Sequence, residues 1–190
     1  MLFLFASLPA QQEARARQEA ALHQALTALA AGDQDAIGQV YEHSRAAVYA
    51  LALSLLKNRQ DAEDILHDTY LQIFRVADRY DRQGRPLPWI LTIARNQAKM
   101  LLRRRTYMET PVEELEFFEG ADPFLTAEDR IVLRAAMEQL EDDEREIIML
   151  HAVAGLKHRE IAAQLERPLA TVISRYHRAI RKLKAIIEEA

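Results

Sequence analysis

Apolar residues fall at three- and four-residue intervals along most of this 190-residue chain, the period of helices that each bury one face. Leu22, Leu26 and Leu29 mark the first stripe, and Gly32 is placed to close it with a left-handed cap. Asp33 can cap the next stretch, where Ile37, Val40, Tyr41, Val48, Tyr49, Ala52, Leu53 and Leu56 supply an apolar face through one helix or two abutting ones. Asn58-Arg59-Gln60 interrupts it. Asp61, with Asp64 three positions on, resembles a capping arrangement and opens a helix whose inner residues are Ala62, Ile65, Leu66, Thr69, Tyr70 and Ile73 and which ends before Gly84. Pro88 suits the first position of a helix from about Trp89 to Arg105, apolar on one side and basic on the other. The periodicity then fails across Thr106 to Leu125, where Pro111, Gly120 and Pro123 sit amid acids and predict an extended linker. Thr126 caps a second helical set, with Ile131, Leu133, Met137 and Leu140 in one helix and Ile147, Ile148, Leu150 and Val153 in the next. Nothing alternates as strands do. The pattern predicts an all-α fold of two small helical domains joined by an acidic linker.

Beyond Gly155 the spacing changes to a short helix, a tight turn and a long helix, Glu160 to Leu183. In a helix-turn-helix a small residue sits where the two helices cross and an apolar one ties the second down, and Ala162 and Val172 fit those places. Val172, Tyr176, Ala179, Ile180, Leu183 and Ile187 continue as one buried stripe, while Thr171, Ser174, Arg175, Arg178 and Lys182 line the other face. Hydroxyls and cations on one helix face suit phosphates and base edges. The plainer reading of that face is a solvated basic surface, and the short bracing helix in front of it favours DNA.

A net charge of −4 looks wrong for a nucleic-acid binder until the charges are placed along the chain. Arg95, Lys99, Arg103, Arg104 and Arg105 are the only charges from Ala94 to Thr106, whereas from Tyr107 to Glu146 a run of acids meets only Arg130, Arg134 and Arg145. Two cationic patches with an acidic stretch between them suit contact with DNA at two places, although an acidic linker also serves solubility alone. The chain has no cysteine, which excludes disulfides, thiol catalysis and cysteine-based zinc sites and fits a reducing cytoplasm. His43, His67, His151, His158 and His177 fall on separate predicted helices without paired ligand spacing, so no metal is expected. No phosphate-binding glycine loop and no nucleophile with its base is recognisable, and neither enzymatic activity nor a cofactor is expected. Met1 to Ala10 is apolar but lacks a basic leader and is too short to span a bilayer, so no stable membrane insertion is expected.

The order and spacing of several short motifs resemble the bacterial sigma factors of the extracytoplasmic-function group from Ala31 to Ile187. In the first module these are Ala31-Gly-Asp33, Asp61-Ala-Glu-Asp-Ile-Leu-His-Asp-Thr-Tyr70 and Trp89-Ile-Leu-Thr-Ile-Ala-Arg-Asn96 with Arg103-Arg104 trailing. In the second they are Asp143-Glu-Arg-Glu-Ile-Ile148, Gly155-Leu156, Glu160-Ile-Ala162, and Thr171-Val-Ile-Ser-Arg175 through His177-Arg-Ala179. The resemblance implies an N-terminal extension with a helix at 1–32, a region 2-like domain at 33–106, an acidic linker at 107–125 and a region 4-like helix-turn-helix domain at 126–190. It implies a specificity subunit that binds core RNA polymerase and promoter DNA, with an anti-sigma factor as a further partner. Asp61, Asp64 and Asp68 would face the polymerase. Arg79, Tyr80, Arg85, Arg95, Asn96, Lys99 and Arg103 would hold the opened minus-ten strand, with Tyr80 as the exposed stacking aromatic and Trp89 in the core. The helix-turn-helix would read the minus-thirty-five element. Departures from the family pattern are Glu166 where glycine is common in the turn, Ile173 where lysine or another polar residue is frequent, and Leu169-Ala170 in place of a smaller pair. Two other readings remain open: an autonomous regulator that binds duplex operator, and a polymerase-binding scaffold that no longer reads DNA.

Overall fold

The computed structural model describes residues 8–81, 84–106, 135–153 and 155–189. The expected linker at 107–125, the cap at Thr126 and the apolar positions Ile131 and Leu133 lie outside them. Among the described residues the helices are, in chain order, α1 Leu8–Ala30, α2 Ala36–Leu56, α3 Arg59–Val76, α4 Pro86–Thr106, α5 Asp142–Ala152, α6 His158–Leu165 and α7 Leu169–Glu189, with a 3-10 turn at Ala77–Arg79 after α3 and a helical turn at 135–138. No strand occurs among the described residues.

Local chemistry sets the boundaries. Gly32 closes α1 at φ +99°, its N–H donating to Leu29 O. α3 starts earlier than the Asp61 pattern predicts, because Asn58 takes the cap: its Oδ1 accepts from Asp61 N at 2.9 Å. Likewise α4 begins at Pro86 rather than Pro88, since both prolines are compatible with a first turn whose N–H groups have no helical acceptor. Lys57, a position the pattern did not flag, ends α2 in the left-handed region at φ 55°. Glu166 does so for α6 at φ 53°, ψ 43°, its N–H reaching Ala162 O and Ala163 O. A left-handed non-glycine residue costs roughly 1–2 kcal/mol, against about 0.5–1 kcal/mol for glycine's extra chain entropy. Glu166→Gly is therefore expected to stabilise the chain by about 0.5 kcal/mol, read as a higher denaturant midpoint with unchanged slope.

α1, α2, α3 and α4 pack around Leu22, Leu26, Val40, Leu51, Ile73, Ile90 and Ala94, all buried. That cluster does not stop at the boundary between the two predicted modules. Ile147 and Leu150 of α5, Leu156, and Ile161 of α6 belong to it, and α5 lies against α2. A second face of α5 looks the other way: Ile148 joins Met137, Leu140 and Ala179, with Tyr176, Ile180 and Leu183 of α7 packed around them. α5 is thus the shared wall between the N-terminal set and the helix-turn-helix. Each fully buried leucine or isoleucine on it contributes about 1.5–3 kcal/mol.

Candidate nucleic-acid interface

The helix-turn-helix is assembled as its residue types dictate. Ala162 (7% exposed) lies at the crossing of α6 and α7, and Val172 is fully buried beneath the start of α7. α7 then presents Ser174 and Arg178 to solvent, with Thr171 partly covered. Of the other predicted readers, Arg175 and Lys182 already have anionic partners on α5. Arg175 Nη1 pairs with Asp143 Oδ2, which also takes Arg167 Nη2 at 2.7 Å, and Lys182 Nζ donates to Glu144 Oε2 at 2.6 Å. They brace α7 on α5. Arg178 remains half-exposed, its Nε 3.8 Å from Glu144 Oε1. The predicted set leaves out His177 and Arg181, which share the exposed side of α7 and lie three and seven positions beyond Ser174, within the spacing of one helix face.

At the start of α5 three successive charged residues are buried. Glu144, Arg145 and Glu146 are 0%, 2% and 4% exposed. Three successive helical side chains point in three directions about 100° apart, and each finds its own counter-group. Arg145 donates to Met137 O (3.0 Å) and Leu140 O (2.8 Å), closing the carbonyl end of the helical turn at 135–138. Glu144 accepts from Glu141 N at 3.1 Å in a capping box. Burial works against its charge, but Lys182, the Glu141 N–H and Arg178 outweigh burial and hold its carboxyl below the usual glutamate range. Glu146 crosses to the N-terminal set: its Oε1 accepts from Arg95 Nε at 2.5 Å and its Oε2 lies 3.5 Å from Lys99 Nζ.

The predicted minus-ten residues therefore divide. Arg79, Asn96 and Arg103 are exposed. Arg95 and Lys99 are engaged by Glu146, and Arg85 bridges Glu19 Oε1 and Glu160 Oε2, both at 2.9 Å. Glu19 first and Glu160 after it push the Arg85 guanidinium further up against its burial. Tyr80 is a correction. It is 5% exposed rather than open for stacking, because its ring packs edge-on against Trp89 and its hydroxyl donates to Gly84 O (2.9 Å) beside His23 Nδ1 (2.8 Å). Burial, with Asp81 and Glu19 nearby, pushes that phenol up to about 12. Tyr80 fastens the loop before α4 to α1, and Trp89 packs against the core as expected.

On α3, Asp64 and Asp68 are exposed whereas Asp61 is 7% exposed, so Asp61 is not an open contact residue. With Ile65 and the α4 residues Gln97 and Leu101 it lines a groove of about 420 Å³ between α3 and α4. Leu71 and Met100, 56% and 50% exposed, also line it, an apolar rim beside carboxylates.

The sequence placed His151, His158 and His177 on separate helices, and the fold gathers them at the helix-turn-helix joint. His151 stacks on His158 with centroids 4.8 Å apart, and Tyr176 closes on His158 at 4.5 Å with His177 next to it. No group of three or more histidines and carboxylates able to hold a metal occurs among the described residues. Burial, then His151 and His177, keep His158 below its ordinary value. The unfolded chain takes up a proton at His158 near pH ~6.5 while the folded chain resists it, so stability falls as pH drops below that point. His158→Gln is expected to flatten the decline in unfolding midpoint between about pH 7.5 and about pH 5.5. An unchanged slope would place that decline elsewhere.

A helix-turn-helix with Ser174 and Arg178 exposed on its second helix, joined to a four-helix set that carries a basic helix, is the architecture of a DNA-binding protein. Residues 40–107 match the Sigma-70 region 2 family model and residues 130–183 the Sigma-70 region 4 model. The chain is 30% identical over 172 residues to the ECF RNA polymerase sigma factor SigK of Mycobacterium sp. (strain KMS), covering 84% of this chain and 86% of that one. It is 30% identical over 167 residues to the RNA polymerase sigma factor CarQ of Myxococcus xanthus, covering 83% and 92%. Among solved structures, the sigma factor RpoE bound to the anti-sigma factor NepR from Bartonella quintana superposes with a TM-score of 0.68 at 23% identity, over 80% of this chain and 96% of that one. CnrH bound to the cytosolic domain of CnrY superposes at 0.64 and 24% identity, over 89% and 98%. The chain belongs to the ECF family of RNA polymerase sigma factors: it directs polymerase to promoters at transcription initiation. Among the described residues no helix is long and apolar enough to cross a membrane.

Proposed function

We propose a division of labour within this sigma factor, residue by residue. The domain at 33–106 docks on core polymerase through Asp64 and Asp68 and the apolar rim around them. It holds the opened minus-ten strand through Arg79, Asn96 and Arg103, joined by Arg85, Arg95 and Lys99 once their internal acids are displaced. The domain at 126–190 reads the minus-thirty-five element through Thr171, Ser174 and Arg178, with Arg175 and Lys182 holding the recognition helix to α5. The region 107–125 sets the reach between them. The observation that supports this most is the outward face of α7, where Ser174 and Arg178 stand exposed on a helix whose other side is locked by Val172 and Ala179. Hydroxyl and guanidinium groups on a braced helix are suited to the major groove.

The chain performs no catalytic step of its own in this reading and works in the cytoplasm with polymerase. An anti-sigma factor is proposed as a further partner, since the superposed sigma factor RpoE is bound to one. The test is transcription by core polymerase plus chain on a promoter and on versions altered at one element. Arg178→Ala should lower use of the intact promoter by about 1–3 kcal/mol, relax discrimination at one minus-thirty-five position and leave minus-ten preference intact. It should also reduce the salt slope of binding by about 1. Tight operator binding without polymerase would favour the autonomous regulator. Polymerase binding without promoter-dependent starts would favour the scaffold.

A further inference from the structure

α1 lies outside the residues 40–107 that match region 2, yet it packs against the 3-10 turn that carries Arg79 and against α4. Glu19 and His23 are four positions apart and so share one face of that helix. His23 Nδ1 stands 2.8 Å from the Tyr80 hydroxyl, and Glu19 Oε1 accepts from Arg85 Nε at 2.9 Å. One turn of α1 thus meets the chain on both sides of the loop between the 3-10 turn and α4.

Tyr80 is the residue through which this contact acts. A phenol has one proton, and the Gly84 carbonyl oxygen, 2.9 Å away, can only accept it. The hydroxyl oxygen is left to accept from His23, which places the proton of that imidazole on Nδ1. The link runs from α1 through Tyr80 to Gly84 and closes the base of the loop from within. The Gly84 N–H donates back to Asp81 O at 2.7 Å, and a Cβ at Gly84 would stand 3.0 Å from that same oxygen, so the chain returns on itself with little space for a side chain. Trp89 of α4 packs edge-on against the phenol ring at 5.3 Å. The Tyr80 backbone is extended at φ −68°, ψ 120°, and along extended backbone successive side chains point to opposite sides. A Tyr80 held inward therefore turns its neighbours outward, and Arg79 and Asp81 are both exposed.

We propose that His23 is a positioning residue for minus-ten reading: through the Tyr80 hydroxyl it holds the loop in the conformation that presents Arg79 to the opened strand, so that α1 belongs to the promoter-reading machinery. This rests on the minus-ten assignment of Arg79 above. A loop free to leave that conformation binds with an affinity reduced by the fraction of time it is correctly placed, and it tells one base from another less sharply. A helix that only stabilised the domain would instead affect the use of every promoter alike.

The test is transcription by core polymerase with the full chain, from a promoter and from versions altered at the minus-ten or the minus-thirty-five element. The emission of Trp89, the single tryptophan, is recorded for each chain alone. His23→Leu and Tyr80→Phe should each lower the preference for the intact minus-ten element about tenfold, the scale of discrimination at one base pair. Both should leave the minus-thirty-five preference unchanged and move Trp89 emission to longer wavelength. The double variant should be no worse than either single one, because both remove the same link. His23→Asn, which keeps an N–H donor at the place of Nδ1, should restore preference and emission together. Loss of starts from all promoters in equal proportion, additive losses in the double variant, or no recovery with His23→Asn overturns the proposal, as does emission unmoved by both single variants. Parent starts indifferent to the minus-ten sequence would count against the minus-ten assignment, while the emission of the free chain still reads the link between His23 and Tyr80.

Discussion

Core polymerase is expected to bind a chain carrying Asp64→Lys and Asp68→Lys about a hundredfold more weakly than the parent chain, a loss of about 3 kcal/mol. The two carboxylates stand one helical turn apart on the exposed side of α3, beside a groove whose rim includes exposed Leu71 and Met100. A surface of that kind pairs with a basic, partly apolar partner, and reversing two charges turns attraction into repulsion while the apolar contacts stay. Neither aspartate is buried, so unfolding of the isolated chain should shift by no more than about 0.5 kcal/mol. Asp61→Lys is expected to differ in stability: a buried position in the first turn of α3 receives a long cation, and stability falls along with binding. Competition for polymerase, measured with a labelled parent chain and no DNA, reads the loss of binding, and urea unfolding of each variant alone separates the two. Equal polymerase affinity in the Asp64/Asp68 double variant would move the docking surface off α3.

Glu144→Ala is expected to destabilise the C-terminal helical set by about 2–4 kcal/mol. The carboxylate is fully buried and does two jobs at once. It caps α5 through the Glu141 N–H, a contribution of about 1 kcal/mol, and it holds Lys182 and, at longer range, Arg178 against α5. Removing it leaves those cations to find water, which Arg178 can do more readily than Lys182, and this keeps the loss below the 3–5 kcal/mol typical of a broken, fully buried pair. Glu144 is held below the usual glutamate range, so its stabilisation is complete above the unfolded value of about 4.3 and is lost as pH falls through the lower folded value. Urea unfolding of parent and variant near neutral pH and at pH about 3 tests both statements. A difference that persists undiminished at the acid end would show that lost packing, rather than lost charge, accounts for the effect.

Much of this fold was legible in the sequence because helices announce themselves locally. The three-four spacing marked the described helices, Gly32 marked the end of α1, and Ala162 and Val172 marked the helix-turn-helix. Boundaries slipped where two residues could do the same job: Asn58 took the cap from the Asp61 pattern, and Pro86 preceded Pro88. The functional surface was less legible, because a side chain's availability depends on partners far away in sequence. Arg95 and Glu146 sit 51 positions apart and Arg85 and Glu160 75 apart, beyond any periodicity. Tyr80 looked like a loop aromatic and is instead fixed by His23, 57 positions earlier. One signal was available in the sequence. Glu141 and Glu144 have capping-box spacing, which ties the Glu144 carboxylate to the start of α5.

The claim that most needs direct measurement is that this chain gives polymerase its choice of promoter. Core polymerase, the purified chain and a pool of genomic fragments can be incubated with nucleotides, and the 5′ ends of the transcripts sequenced. The account predicts starts that appear only when both proteins are present, and that lie downstream of two shared elements at a fixed separation. Starts spread without common elements, or the same starts from core polymerase alone, would contradict it.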